Sequence, residues 1–460
     1  MPTAKFLLEH FYYGQLVHDG KPRGEPRLLA ASAGVTPELA ALAVERVTLP
    51  PLIRADNGAW ALVRGRHKSI PFLLVQAQQG SAGQLIAHYI LAPPDTLRTV
   101  GGNLQALLAL VQDTLPVFDR LDQQLLDPVA LAAPPSLSMA AQVDHILDLM
   151  NITRNRIDII ELLLAAIVQG VQLIVQGAPP NLRERVAFVQ GLLALLPPSA
   201  RFGVTFTTHS LPTTDIDAQI RFYSDDMPPT DTTVFNWPRA QVTGVDLEDD
   251  YSRFVMSQLR LDAELVIQRN TQMTLIAGWR LNQGDKLAAA LGYAAQRVRL
   301  DEALRNKQPV NHSEVARILG TDPTLTDELR VLYADHLITF SLAMEDMSHA
   351  APVAELLPDN PELEQAALRR MGEALNDGRA SLVYDTLLLW LGHPQGPHGP
   401  AWVDLTQRTL LEYARGLVAR RDLDGIVALI SRLHAADSVL DLPRVAPPFV
   451  ARVLPVCQDD

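Results

Sequence analysis

Apolar and β-branched residues in the first part of the chain form short runs between turn-forming residues, a pattern that predicts strands. The run at 6–17 ends in His18-Asp19-Gly20-Lys21-Pro22, and a partner strand is predicted at 27–32. Thr36-Pro37-Glu38 then supplies a capping hydroxyl, a proline and an acid, which predicts a helix that continues to about residue 47. Further strands are predicted at 60–63, 71–76 and 85–91, and a helix at 104–115.

The middle of the chain has the order of a parallel β-unit. Proline and small residues at 122–136 predict a linker, and two helices are predicted after it, at 138–150 and 156–169. A strand at 171–175, the turn Gly177-Ala178-Pro179-Pro180, a helix at 181–196 and a strand at 203–208 follow. This β–turn–α–β order is typical of parallel strands joined by a crossover helix. Two more strands are predicted at 219–224 and 233–237.

Beyond residue 246 the apolar residues recur every three or four positions, which predicts helices and almost no strands. Asn311 and Glu314 have capping-box spacing, and Asn360-Pro361-Glu362 is a second helix start. Short connections between these helices favour a bundle or a helical array, although no fixed-period repeat is present. Helices are predicted at 251–268, 286–299, 325–340, 362–375, 381–391, 403–420 and 423–434.

The most apolar stretch, residues 159–175, is interrupted by Glu161, Gln169, Gly170 and Gln172. It is short for a membrane span, so we expect a buried helix leading into a buried strand rather than a transmembrane helix. The N-terminal sequence lacks the apolar core and small-residue cleavage site of a signal peptide. These features predict a cytoplasmic protein without a membrane span.

Composition narrows the classes of function. The 460 residues are more than one core usually holds, which predicts two or three domains. The net charge of −13 argues against nucleic acid or an anionic membrane as the main partner. Most of the acidity belongs to residues 241–460, with 31 Asp/Glu against 21 Lys/Arg. Cys457 is the single cysteine, which excludes disulfides, Cys-based zinc sites and iron–sulfur clusters within the chain.

The middle segment holds the residues best suited to chemistry. The turn GAPPNLRER occupies the position of a phosphate-binding loop, but it lacks the glycines and the lysine of that motif. A structural turn or a decayed nucleotide site is therefore expected. After the next strand, an imidazole and several carboxylates could serve acid–base or metal chemistry, with a strand leading into an acidic, solvated loop as the competing interpretation. This candidate cluster consists of His209, Asp215, Asp217, Asp225 and Asp226.

Other polar runs have simpler interpretations. His393 and His398 lie on a Pro/Gly-rich connection, where an exposed loop is expected rather than a metal site. The basic run at 64–68 is expected to be a solvated loop, with an anion site as the alternative. The acids at 246–250 are expected to cap a helix because the calcium-loop spacing is absent. The sequence thus contains no assembled catalytic constellation and predicts no cofactor and no metal.

Several stretches resemble the bacterial GTPase-associated protein 1 family. They include residues 10–14 (HFYYG), the following LLAASAG at 28–34, the AHYIL strand at 87–91, and LLPP at 195–198 leading into VTFTT at 204–208. The similarity covers about residues 1–240. It implies a modular adaptor that works with a partner GTPase, where the association is one of gene neighbourhood, and it carries over no catalytic residues.

Together these observations predict an α+β or α/β N-terminal half followed by an all-α helical-array C-terminal half. The predicted domains are a mixed α/β domain at 1–125, an α/β domain at 137–245 and an all-α domain at 246–460. We expect a non-enzymatic adaptor or scaffold acting with a GTPase in a bacterial signalling or conflict system. The alternatives are a hydrolase or nucleotide-dependent enzyme that uses the middle domain, and a self-assembling structural protein.

Overall fold

The structure of the protein is a computed structural model. It describes residues 5–49, 58–65, 72–120, 124–132, 137–211, 216–223, 232–244, 247–436, 439–440 and 442–458. The chain divides into two compact units, Met1–Val298 and Arg299–Asp460.

The first unit is built on a mixed sheet with a separate two-stranded ladder. Its strands are three to twelve residues long, and the central ones are buried on both faces, as their nearly continuous apolar sequences predict. The strands are β1 (Lys5–Leu8), β2 (His10–His18), β3 (Lys21–Ser32), β4 (Ala59–Arg64), β5 (Phe72–Gln79), β6 (Leu85–Leu91), β7 (Gln124–Leu126), β8 (Val129–Ala132), β9 (Leu173–Gln176), β10 (Phe206–Ser210), β11 (Ile220–Tyr223), β12 (Thr233–Asn236) and β13 (Gln241–Thr243).

Among the described strands, eleven form one sheet in the order β13-β12-β9-β11-β10-β4-β5-β6-β2-β3-β7, while β1 pairs with β8. The strands β12, β9, β11 and β10 run parallel to one another. Strand β10 pairs antiparallel with β4, so the parallel part continues directly into the antiparallel part that includes β4, β5, β6, β2 and β3. One sheet therefore carries both segments that the sequence predicts as separate α/β domains.

Helices cover both faces of this sheet. Ala40 and Ala43 of helix α1, together with its C-cap Val47, pack against one face of the antiparallel strands, where Val63 and Val75 are buried. The other face, together with the parallel strands, forms a larger core with the remaining helices of the unit. The helices are α1 (Pro37–Arg46), α2 (Pro94–Val100), α3 (Leu104–Leu108), α4 (Met139–Ile152), α5 (Ile157–Val168), α6 (Leu182–Ala194), α7 (Pro198–Arg201), α8 (Asp250–Leu259), α9 (Ala263–Asn282) and α10 (Leu287–Arg305), within which the division between units falls.

The described residues of the second unit form helices joined by turns and loops, with no strand among them. Its core is built around Trp390 and Trp402, whose rings meet edge to face at 6.1 Å. A further cluster joins the last three helices of the chain. The helices are α11 (His312–Thr321), α12 (Asp327–Met344), a 3₁₀ helix at Ser348–Leu356, α13 (Pro361–Asn376), α14 (Ala380–Leu391), α15 (Pro400–Arg420), α16 (Leu423–Ala435) and α17 (Leu442–Gln458).

The predicted fold class is confirmed: a mixed sheet with helices occupies the N-terminal half, and helices occupy the C-terminal half. The predicted three-domain division stays a prediction. Within the described ranges, no helix combines the length and apolarity needed to span a membrane. The stretch at 159–175 forms the buried helix α5 and enters the buried strand β9, as expected.

Three predicted elements are wrong. The single helix expected at 251–268 is two helices, α8 and α9, because Asp262 caps the start of the second. The helix expected at 104–115 ends at Leu108, because the Gln76 side chain binds both backbone groups of Gln112 and holds that segment in an extended loop. The linker expected at 122–136 contains β7 and β8. These strands form because β3 and β1 offer them backbone partners from distant parts of the chain.

Candidate functional site

The carboxyl ends of the four parallel strands meet at one edge of the sheet. These ends are Gln176, Ser210, Tyr223 and Asn236. In open α/β sheets this edge is where ligands usually bind. Here the turn that begins at Gly177, with φ of +69°, connects β9 to α6, whose N-cap Asn181 accepts a hydrogen bond from the Arg183 N–H at 2.9 Å.

A buried arginine fills this turn. The Nε–H of Arg185 donates to the Pro179 carbonyl at 2.6 Å, and Nη2 donates to the Ala178 carbonyl at 3.3 Å. Nη1 donates to the Thr208 carbonyl in the middle of β10. Burial lowers the pKa of Arg185 to about 10, so the guanidinium stays charged at neutral pH. A phosphate-binding loop points N–H groups at its ligand, whereas this turn points carbonyl oxygens at a cation.

His209, the first member of the candidate cluster, is buried on β10. Its Nδ1 lies 3.2 Å from the Thr208 hydroxyl, which also contacts both backbone groups of Trp60. Burial, and secondarily the nearby charge of Arg185, lowers the pKa of His209 to about 3. The imidazole is therefore neutral at physiological pH and is part of the sheet interior.

The structure does not bring His209 and Asp217 together. Asp217 precedes β11 and forms an ion pair with Arg46 of helix α1, with 68% of its side chain exposed. Because β10 and β11 are parallel, Asp217 lies at the amino edge of the sheet while His209 lies near the carboxyl edge, on the order of 15 Å away at ~3.3 Å per residue. Asp215, Asp225 and Asp226 lie outside the described residues, so their part in the cluster stays a prediction.

A second polar network lies among the antiparallel strands. His10 on β2 binds His88 on β6, with 2.8 Å between Nδ1 of His10 and Nε2 of His88. The Nε2 of His10 lies 2.9 Å from the Asp127 carbonyl. A carbonyl can only accept, so His10 carries its proton on Nε2 and accepts from His88 Nε2–H. Burial lowers the pKa of His10, and it lowers that of His88 to about 3.

This network leaves little room for a substrate. Tyr12 stacks on His88 with 4.5 Å between ring centroids, and its hydroxyl accepts from Gln112 Nε2 at 2.7 Å. The adjoining cavity, lined in part by Trp60 and Gln76, measures about 10 Å³, roughly the space of one water molecule. The two histidines thus link strands β2 and β6 to the connection between β7 and β8. They also bring together two of the stretches that carry the family resemblance, 10–14 and 87–91.

The second unit exposes an apolar surface on helix α16. Leu423, Val427 and Ile430 are 38%, 63% and 46% exposed, and we call these three residues the outer stripe. They follow i, i+4, i+7 spacing and therefore lie on one side of the helix. The same helix buries Ile426, Leu429 and Leu433 in the core of its own unit. The apolar surface of α16 thus extends beyond the part that packs against the rest of its own unit.

The remaining polar runs have structural roles where they are described. Asp249 caps α8, accepting from the Ser252 N–H at 2.7 Å, which confirms the capping prediction. His393 lies 3.2 Å from Glu355, while His398 lines a separate apolar cavity of the second unit. Within the ranges the structure describes, no group of three His, Cys, Asp or Glu residues could hold a metal ion. Residues 66–68 of the basic run lie outside the described part.

Sequence reasoning missed three features that the structure assembles. Arg185 carries no signal beyond its position in GAPPNLRER. The partners His10 and His88 are separated by 78 residues, so no local pattern joins them. The outer stripe could have been found, because the spacing of Leu423, Val427 and Ile430 widens the apolar face of a helix that was already predicted.

Comparison of the chain with protein-family models and with curated proteins gave no match.

Proposed function

We propose that this protein is a non-enzymatic adaptor that binds a partner protein through the outer stripe of α16. A GTPase is the class of partner that the family resemblance implies, and a bacterial cytoplasm is the corresponding location. The observation that carries the proposal is the exposure of Leu423, Val427 and Ile430 on a helix that already buries another apolar face.

Exposed apolar side chains on the outer stripe are costly to hydrate, and a bound partner would remove that cost. Burial of such surface is worth about 25 cal/mol per Å², so side chains aligned along one helix form an energetically useful contact. A helix on the surface of a soluble protein usually presents polar residues on the sides that its own core does not cover. An apolar helix face is also a common means of recognition when it fits a groove in a partner.

The carboxyl edge of the parallel strands supports the same proposal. Arg185 occupies the turn in which a nucleotide-binding protein would hold phosphate, and its donors serve three backbone carbonyls. The guanidinium of Arg185 therefore stabilises the turn itself and is not free to bind a ligand phosphate. This use of Arg185 favours an interaction protein over a nucleotide-dependent enzyme as the function.

The test is direct binding between the purified protein and a purified GTPase chosen from the neighbourhood of its gene, loaded in turn with GDP and with a non-hydrolysable GTP analogue. The double variant Val427→Asp/Ile430→Asp is expected to weaken binding at least about tenfold, because it places two charges in the apolar contact. The matched control is Ala428→Asp, an exposed residue of the same helix that points away from the outer stripe. It is expected to bind like the wild type.

Two results would contradict the proposal. If the wild type binds no neighbouring GTPase in either nucleotide state, the proposed partner is wrong. If the double variant binds as well as Ala428→Asp, the outer stripe is not the contact. Light scattering over a range of concentrations gives the mass in solution. A dimer of the 50.5 kDa chain that Val427→Asp/Ile430→Asp dissociates would instead support self-assembly through the same helix.

A further inference from the structure

A cleft of about 520 Å³ opens at the amino edge of the parallel strands. The turn that Arg185 fills lies at the opposite, carboxyl edge of the same sheet. All lining residues of the cleft belong to the first unit. Its volume is within the 300–1,000 Å³ that is usual for small-molecule sites. Its location is independent of the outer stripe on α16, so the inference drawn from it goes beyond the proposed function.

Four chain segments build the cleft. Helix α5 ends at Val168, and Gly170, with φ of +71°, turns the chain toward β9. Phe202 and Gly203 connect α7 to β10 beside Arg64, the last residue of β4. The corner between α9 and α10 forms the remaining wall. That corner turns at Gly284, whose φ is +93°, a conformation that glycine adopts without strain.

The charges of the cleft are predominantly positive. Asp285 forms an ion pair with Arg280, with 2.6 Å between Asp285 Oδ2 and Arg280 Nε, so its negative charge is balanced by that arginine. The cations Arg64 and Lys286 are exposed and have no carboxylate partner among the residues that the structure describes. Two unpaired cations in one cleft of a protein with a net charge of −13 are a local reversal of the overall field. Such a reversal attracts an anion.

The remaining lining is mostly apolar. Phe202, Leu281 and Leu287 are half-buried in the cleft and pack against the core of the unit. The hydroxyl of Ser199 already donates to the Thr274 carbonyl at 2.9 Å. A ligand that fits this lining therefore needs an apolar body for the half-buried side chains and an anionic group for the two cations.

We propose that the cleft binds a small amphipathic anion, with a carboxylate or phosphate group at Arg64 and Lys286 and an aliphatic or aromatic body on Phe202, Leu281 and Leu287. Arg64 is the first residue of the basic run at 64–68. The sequence left a solvated loop and an anion site as alternatives for that run. A concave cleft of about 520 Å³ suits a small molecule better than it suits the flat surface of a macromolecule.

The test is isothermal titration calorimetry of the intact protein with four probes. Octanoate has both required parts, octan-1-ol lacks the charge, acetate lacks the body, and octyl phosphate replaces the carboxylate with phosphate. Octanoate or octyl phosphate is expected to bind at least tenfold more tightly than octan-1-ol and acetate. The stronger of the two anions identifies the preferred head group.

Two variants then locate the site. Lys286→Glu reverses an exposed charge and is expected to weaken binding of the anionic probes about tenfold. Gly203→Leu is expected to abolish it by filling the cleft. A Cβ added at Gly203 would lie 3.6 Å from Arg64 Nη2 and 4.0 Å from the Ala200 carbonyl oxygen, which are ordinary contact distances. The matched control is Lys21→Glu, an exposed lysine in the β2–β3 hairpin.

The proposal is overturned if neither anion binds more tightly than octan-1-ol. It is also overturned if Lys286→Glu binds like Lys21→Glu, a comparison that stands even if Gly203→Leu does not fold. Binding that is lost in Val427→Asp/Ile430→Asp but kept in Lys286→Glu would place the probes on the outer stripe and contradict the cleft. Failure of GTPase binding leaves these titrations unchanged, so the two proposals fail separately.

Discussion

Arg185→Met is expected to lower the free energy of opening of the β9–α6 region by about 3 kcal/mol. The substitution keeps much of the side-chain volume but leaves the carbonyls of Ala178, Pro179 and Thr208 without their shared donor. An unsatisfied buried polar group costs about 1–3 kcal/mol, and part of that cost is offset because a buried charge is removed as well. Native-state hydrogen exchange, followed by mass spectrometry on peptides from residues 173–196, measures this energy.

The same helix provides the control. Arg183 is exposed two residues away, and Arg183→Met is expected to change the opening energy by less than about 0.5 kcal/mol. Arg185→Lys is expected to lose nearly as much as Arg185→Met, because one ammonium cannot reproduce the planar fork of a guanidinium. Wild-type stability in Arg185→Met would contradict a structural role for Arg185 and would leave the arginine available for an anion at the carboxyl edge.

Acidification is expected to destabilise the first unit by about 4 kcal/mol between pH 7.5 and pH 5. Burial lowers the pKa of both His88 and His209 to about 3, whereas an unfolded histidine titrates near 6.5. Between these values the unfolded chain binds more protons than the folded chain, so stability is fully present above pH 6.5 and is lost as the pH falls toward 3. Each histidine contributes about 2 kcal/mol over this interval.

The measurement is again hydrogen exchange, with peptides from β6 and β10 followed at several pH values after correction for the intrinsic exchange rate. The double variant His88→Asn/His209→Asn is expected to have a much shallower dependence, because the two titrating groups are gone. His18→Asn, which replaces an exposed histidine of the same unit, is expected to keep the wild-type dependence. An equally steep dependence in the double variant would show that other groups are responsible. His10 and His145, whose pKa values burial also lowers, would be the next to replace.

The sequence predicted most elements because their signals are local. The caps Thr36, Ser138, Asn181 and Asn311 each accept a hydrogen bond from a backbone N–H in the first turn of the helix that they begin. Capping depends on residues only two or three positions apart, so it can be recognised without knowledge of the fold. The change from strands to helices beyond residue 246 was predicted in the same way, from the period of the apolar residues.

Elements that depend on contacts with distant residues were predicted poorly. Strand β7 forms against β3, although Leu125 and Leu126 lie in a proline-containing stretch that suggests a linker. Helix α17 contains Pro447, Pro448 and Pro455, which disfavour a helix locally, yet it buries Val445, Phe449 and Val453 against the neighbouring helices. In both cases tertiary contacts outweigh local propensity.

The candidate site shows the same division. Sequence by itself determined that GAPPNLRER lacks the glycines and lysine of a phosphate loop, because that motif is local. Only the tertiary structure decided that Arg185 fills the turn, that His10 meets His88, that Asp217 pairs with Arg46 away from His209, and that Arg64 and Lys286 share a cleft. Each of these contacts joins residues from separate elements. Their proximity depends on strand order and helix packing, which the spacing of residues along a single chain does not specify.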